Sequence, residues 1–131
     1  MSHPKPTSII DLHTHVIAAD QQAYPLAPLS GRQSDWSRER PVTREAMLAA
    51  MDEAGIAQVA LVQASTCYGH DSSYVADSVA ARPDRFIGVY SIGLTEPDAA
   101  ERIAYWHGRG LQGMRVFIAG HTAADHAARL D

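Results

Sequence analysis

Ser8-Ile9-Ile10-Asp11-Leu12-His13-Thr14-His15 lies close to the N-terminus and decides how the chain reads. Its apolar start is that of a short β-strand, in which successive side chains point to opposite faces. Asp11, His13 and His15 then share one face. Two imidazoles held together at a strand end are placed to grip one divalent ion. Histidine is also common at exposed strand ends, so the pair alone is a weak motif. Its surroundings strengthen it. A long polar and aromatic loop follows, then strands alternate with helices, and active sites of α/β folds gather at the carboxyl ends of strands. His13 and His15 are therefore the candidate catalytic residues and the candidate metal ligands.

Working outward, residues 16–41 form an irregular segment holding Pro25, Pro28, Gly31 and Pro41. A loop of this length in a compact domain is usually functional. Tyr24 and Trp36 argue that it packs, since disordered segments are poor in aromatics. Thr43 is placed to cap a helix over residues 43–54, with Ala46, Met47, Ala50, Met51 and Ala54 as its apolar face and Gly55 as its stop. Residues 56–63 are nearly all apolar and β-branched in part, the pattern of a parallel strand covered on both faces. A second helix starts at Asp71, Ser72 or Ser73 and runs to Ala81, where Arg82-Pro83-Asp84 breaks it. A third strand spans residues 86–92. Asp98 and Glu101 form a capping box for a third helix, with Ile103 and Trp106 facing inward and its end at residues 108–110. Residues 111–118 make a fourth strand, and Thr122 opens a last helical stretch.

Repeated βα units imply parallel strands joined by right-handed crossovers. The (β/α)8 barrel and the doubly wound open sheet share this order. No Gly-x-Gly-x-x-Gly follows the first strand and no P-loop is present, so a dinucleotide or nucleotide-phosphate site is not expected.

The 131 residues suit one domain, and a composition of 46% apolar and 20% charged residues is ordinary for a globular chain. A net charge of −4 without a basic stripe argues against nucleic acid as a partner. No apolar run reaches the ~18 residues of a membrane-spanning helix, and residues 1–7 lack the layout of a signal peptide. Cys67 is the only cysteine. It excludes an internal disulfide and fits a reducing, cytoplasmic location. His70 is near it in sequence, but no flanking signature marks a nucleophile, and Cys67 reads as a packing residue.

Ile9-Ile10-Asp11-Leu12-His13-Thr14-His15 resembles the first-strand motif of the amidohydrolase superfamily. The similarity continues through Met51-Asp52-Glu53-Ala54-Gly55-Ile56, Val59-Ala60-Leu61-Val62-Gln63, residues 65–71 and Gly110-Leu111-Gln112-Gly113-Met114-Arg115. Together these look like the amidohydrolase-related branch, often called amidohydrolase 2. Val62-Gln63-Ala64-Ser65 and Tyr68-Gly69-His70-Asp71 are most similar to its lactonases, which act on pyrone dicarboxylates, muconolactones and sugar lactones.

The resemblance implies a (β/α)8 TIM barrel, of which residues 1–131 supply about the first four βα units as the N-terminal part of a single domain. The family's later metal histidine, on the fifth strand, and its catalytic aspartate, on the eighth, have no counterpart here. The expectation is a piece of a longer protein, because a bare half-barrel leaves two strand edges unpaired and open to association, including with a second copy. The implied cofactor is a divalent metal, zinc first, although some members of the branch act without a tightly bound ion. In that case His13 and His15 would polarise the substrate carbonyl directly.

A catalytic zinc site needs a third protein ligand. His70, His107, His121 and His126 are the candidates within the chain, and His121 follows the fourth strand. Asp11 is expected to support the histidines. Arg115 stands in an apolar strand, where an unpaired charge is costly, and its planar fork matches a carboxylate. Arg115, Ser65, Thr66 and Tyr68 are the candidate substrate-binding residues, with Arg38 and Arg40 as loop groups that could close over them. The expected reaction is hydrolysis of a small anionic lactone. A metal-dependent decarboxylase and a non-catalytic half-barrel that binds a ligand are the alternatives.

Overall fold

The structure, a computed structural model, describes residues 8–117. Four strands, β1 (Ile9–Thr14), β2 (Ile56–Val62), β3 (Phe86–Ile92) and β4 (Gly113–Val116), form one sheet in the order β1-β2-β3-β4. All three pairings are parallel. Every strand end that carries a candidate residue therefore opens on the same side of the sheet. The helix expected from Thr122, and His121 and His126, lie outside the described residues.

Five helices accompany the sheet: α1 (Asp35–Glu39), α2 (Arg44–Ala54), α3 (Ser65–Tyr68), α4 (Ser73–Ala81) and α5 (Ala99–Gly108). The start and stop of α2 follow the expected chemistry. Thr43 accepts a hydrogen bond from the Ala46 amide, and Gly55 closes the helix in the left-handed conformation. The inner face of α2 is narrower than its alanines suggested. Met51 is buried and Met47 and Leu48 pack against the core, while Ala46, Ala50 and Ala54 face solvent. The expected capping box of α5 is absent, since Asp98 makes no side-chain cap bond and its carboxylate lies 3.6 Å from Arg102 instead. β4 is also shorter than expected. Leu111 turns into the core before the strand begins, and Phe117 follows its end.

The core lies between the sheet and its helices. Phe86, Tyr90 and Ile92 of β3, Val59 and Leu61 of β2, and Tyr74, Val75 and Val79 of α4 meet there with Trp106 of α5. Among the described residues β1 pairs with β2 alone, and Leu12 is 73% exposed. Ile9 and Ile10 are exposed beside it.

The long connection after β1 is ordered against the body of the protein. Val16, Ile17 and Ala18 are buried, and the Ile17 amide bonds the Val42 carbonyl at 2.8 Å, which brings the two ends of the excursion together. The Ala27 amide reaches the Cys67 carbonyl and the Leu29 amide the Ser65 carbonyl, both at 2.9 Å. Tyr24 stacks on Tyr74 and donates to the Asp77 carboxylate at 2.5 Å. Burial and that carboxylate push its phenol up to about 12, so the donor is retained. The short α1 and α3 escaped the sequence reading because one or two turns carry no apolar periodicity.

Two glycines hold close approaches. Gly69 has φ +60°, and a Cβ there would meet the Ala27 carbonyl oxygen at 2.6 Å. A Cβ on Gly88 would meet Leu111 Cδ2 at 2.2 Å and Val79 Cγ2 at 3.1 Å. Gly88→Ala is expected to cost about 1–3 kcal/mol in urea unfolding through overpacking. Gly69→Ala should selectively raise hydrogen exchange at the Ala27 and Leu29 amides, because it pushes the loop off α3. Wild-type protection at both amides in that variant would contradict this tie.

Candidate active site

β1 delivers His13 within the strand and His15 one residue beyond it. The two Nε2 atoms stand 3.3 Å apart, and the rings meet edge to face with centroids 4.9 Å apart. The cause of this convergence is a bond across the sheet. His15 Nδ1 lies 2.7 Å from the carbonyl oxygen of Val62 at the end of β2. A carbonyl only accepts, so Nδ1 carries the proton and Nε2 keeps its lone pair. Thr14 Oγ1 donates to the Ala60 carbonyl at 2.9 Å, a second tie between the same strand ends.

Burial is the main influence lowering the pKa of His15. The Val62 carbonyl opposes it, and His13 and Arg115 add to it. The ring is therefore neutral at pH 7, the state a metal ligand needs. Two nitrogens bound at about 2.0–2.1 Å to a tetrahedral zinc stand about 3.3–3.4 Å apart. The observed separation of 3.3 Å falls within that range. Asp11 is placed otherwise than expected, since its carboxylate accepts from the His13 amide at 3.0 Å rather than from an imidazole. His107 is exposed on α5. Among the described residues, no three His, Cys, Asp or Glu side chains converge to hold a metal ion.

His15 lines a small cavity of about 110 Å³ together with Trp36, Ala64, Ser65, Thr66, Arg115 and Phe117. The loop contributes Trp36, whose ring lies 5.2 Å from that of His15 at an angle of 30°. The turn after β2 contributes Ser65 and Thr66. β4 contributes Arg115, whose guanidinium sits 4.3 Å from the Phe117 ring centroid, within cation–π range. Among the described residues, no carboxylate pairs with Arg115.

Thr66 Oγ1 lies 2.8 Å from Ser34 Oγ, which ties the turn to the loop beside α1. Ser65 Oγ is buried and donates to Ser91 Oγ at 3.1 Å. Buried Gln63 braces this turn from below, its amide nitrogen donating to the carbonyls of Gly69 at 3.0 Å and Asp71 at 2.9 Å.

Of the predicted residues, His15, Ser65, Thr66 and Arg115 share one cavity, and His13 adjoins it through His15. Tyr68 stands apart. Its ring is buried in the core, and its hydroxyl accepts from the Ala18 amide at 2.8 Å. Arg38 pairs with Asp35 at 2.9 Å and Glu39 at 3.5 Å on the surface, and Arg40 is exposed. Cys67 is fully buried, and burial raises its thiol pKa, as for a packing residue. Sequence reasoning took Trp36 only as a packing residue and passed over Phe117 and Ser91 as site residues. An aromatic in a long loop beside a strand-end histidine was the available signal for Trp36. Ser91 had none.

The fold, parallel strands alternating with helices, has counterparts among solved structures. One is a probable 2-pyrone-4,6-dicarboxylic acid hydrolase from Acinetobacter baumannii with citric acid bound. It is 20% identical with a TM-score of 0.59, covering 83% of this chain and 37% of that one. A 2,6-dihydroxybenzoate decarboxylase from Rhizobium is 19% identical with a TM-score of 0.57, covering 83% and 38%. An Agrobacterium tumefaciens protein, solved without ligand, is 20% identical with a TM-score of 0.62, covering 86% and 39%. The chain thus spans well under half the length of each, and its four strands correspond to half of a (β/α)8 barrel. No curated protein sequence matches it. The amidohydrolase family model matches residues 10–131. The chain belongs to the amidohydrolase family.

Proposed function

We propose that this chain carries the metal-binding and carboxylate-binding side of a hydrolase that opens a small anionic lactone. The observation that supports this reading best is the sharing of one cavity by His15, with His13 Nε2 3.3 Å away, and Arg115. A polarising group for a carbonyl and a cation for a carboxylate then sit on one face of the sheet. The Acinetobacter structure, a probable 2-pyrone-4,6-dicarboxylic acid hydrolase with citric acid bound, fits the same chemistry.

His13 and His15 would hold a divalent ion, zinc first, through their Nε2 atoms. When bound, such an ion supplies Lewis acidity toward the lactone carbonyl and lowers the pKa of water toward ~7. The Val62 carbonyl keeps the His15 proton on Nδ1 and so leaves Nε2 open. Arg115 donates a bidentate pair of N–H bonds to a substrate carboxylate. The cation–π contact with Phe117 aims the guanidinium. Ser65 and Thr66 line the cavity with hydroxyls held by Ser91 and Ser34, and Trp36 closes it beside His15. Tyr68 has no part in this set, because its hydroxyl is already engaged in the core. Among the described residues no helix is long and apolar enough to cross a membrane, and we take a cytoplasmic small-molecule enzyme as the setting.

Zinc titration at pH 7.5 should reveal one site that His13→Ala and His15→Ala each remove. Acidification should weaken it as protons compete for Nε2. Because the His15 pKa lies below the ordinary 6.5, His15 should stay available down to a lower pH than a free imidazole. Arg115→Met takes away one neighbouring positive charge and should raise the His15 pKa in an NMR titration.

In a screen of carboxylated lactones, Arg115→Met should lower kcat/KM about 10- to 100-fold, the worth of a charged hydrogen bond. An aromatic carboxylate in the same screen separates decarboxylation from hydrolysis. Absence of lactone turnover, with His13→Ala matching wild type in every assay, would overturn the proposal.

A further inference from the structure

Two hydroxyls, those of Ser65 and Thr66, line the cavity that holds Arg115. The protein's own hydrogen bonds take the proton of each. A hydroxyl has one proton to give and two lone pairs with which to accept. Ser91 Oγ, wholly buried on β3, stands 3.3 Å from the Gly69 carbonyl oxygen, 3.1 Å from Ser65 Oγ and 2.9 Å from His70 Nδ1. A carbonyl only accepts, so Ser91 gives its proton to Gly69. It receives one from Ser65 and one from the neutral Nδ1–H tautomer of His70. The Ser65 proton is therefore turned inward, away from the cavity.

Thr66 is bound in the same sense from the loop side. Ser37 Oγ donates to the Ser34 carbonyl at 2.9 Å, and Ser34 Oγ donates to Ser37 Oγ at 2.8 Å. Ser34 Oγ then has no proton left. Its 2.8 Å contact with Thr66 Oγ1 is a bond that Thr66 donates. Ser65 and Thr66 thus present lone pairs to the cavity, while Arg115 presents N–H donors.

This division selects among ligands. A plain carboxylate satisfies Arg115 but has no proton for the two hydroxyl oxygens, which stay unpaired once the ligand excludes water. An ammonium group would supply protons, but Arg115 repels it. A neutral hydroxyl on the ligand supplies the proton without the charge. The cavity of about 110 Å³ holds about four waters at ~30 Å³ each, so that hydroxyl must stand within a carbon or two of the carboxylate.

We infer that Ser65 and Thr66 are specificity-determining acceptors, which select a small acid carrying a free hydroxyl close to its carboxylate over the same acid without one. This rests on the reading of Arg115 as the carboxylate site. Ser91 and Ser34 are the positioning residues, because they decide which way the two hydroxyl protons point.

The test is an NMR chemical-shift titration of the full 131-residue chain at pH 7.5, with EDTA present so that no metal chelates the probe. The probes are 3-hydroxypropanoate and 3-fluoropropanoate, both ionised and close in size, of which only the first has a proton to donate. Wild type should bind the hydroxy acid about 3- to 10-fold more tightly, the net worth of one hydrogen bond. The Ser65→Ala, Thr66→Val double variant should bring the two acids close to parity. Ser91→Ala leaves both cavity hydroxyls in place but returns the Ser65 proton to the cavity, and it should narrow the preference. Equal binding of the two acids by wild type overturns the inference, and so does a preference that the double variant keeps in full. A preference unchanged in Ser91→Ala overturns the inward direction of the Ser65 proton. Arg115→Met should weaken both acids alike. If it weakens neither, or if wild type binds neither, the carboxylate reading itself falls and the selection with it. Binding that depends on Arg115 without discrimination between the probes overturns the selection alone.

Discussion

The hydrogen bond from His15 Nδ1 to the Val62 carbonyl is the contact on which the site depends. It is made at the last residue of β2, where the carbonyl has left the strand ladder. It fixes the proton on one nitrogen and points the other at His13. Without that acceptor a half-buried imidazole could take either tautomer, and the two Nε2 atoms would have no common focus. Parallel pairing is the precondition. Only a parallel β1–β2 ladder brings the carboxyl ends of both strands to the same edge, so that a residue following β1 can reach the end of β2.

The same edge collects everything else that matters. The turn after β2, the loop after β1 and the end of β4 meet there, and they supply hydroxyls, an indole and a guanidinium to one cavity. The loop is costly to order, and its order is secured by contacts far from the site. Tyr24 is held by Asp77, which also receives Arg109 at 2.8 Å. The backbone bonds to Cys67 and Ser65 carry that order to the cavity. Trp36 is thus placed beside His15 by the packing of the loop, and its own helix of five residues is too short to do so alone.

Much of the architecture was legible in residue patterns. The buried run of β2, the Thr43 and Gly55 ends of α2 and the Arg82-Pro83-Asp84 break all follow from local chemistry. The departures have physical causes. Alanines of α2 fitted the helical period but face water, because three larger side chains, Met47, Leu48 and Met51, suffice to cover the sheet there. Asp98 looked like a cap, yet its carboxylate turns to Arg102. Tyr68 looked like a loop residue at a strand end. A single helical turn over Ser65–Tyr68 rotates it into the core, where burial of its ring and the Ala18 amide hold it.

Sequence alone determined the parallel βα order, the H-x-H pair and an arginine on the fourth strand, because periodicity, turn residues and the cost of a lone charge are local properties. The tertiary structure decided which of those residues meet. The tautomer of His15, the stacking of Trp36, the burial of Tyr68 and the junction of Ser65, Ser91 and His70 all join segments far apart in the chain. Their partners are set by strand register and loop packing, and no local pattern encodes a distance between side chains that are dozens of residues apart.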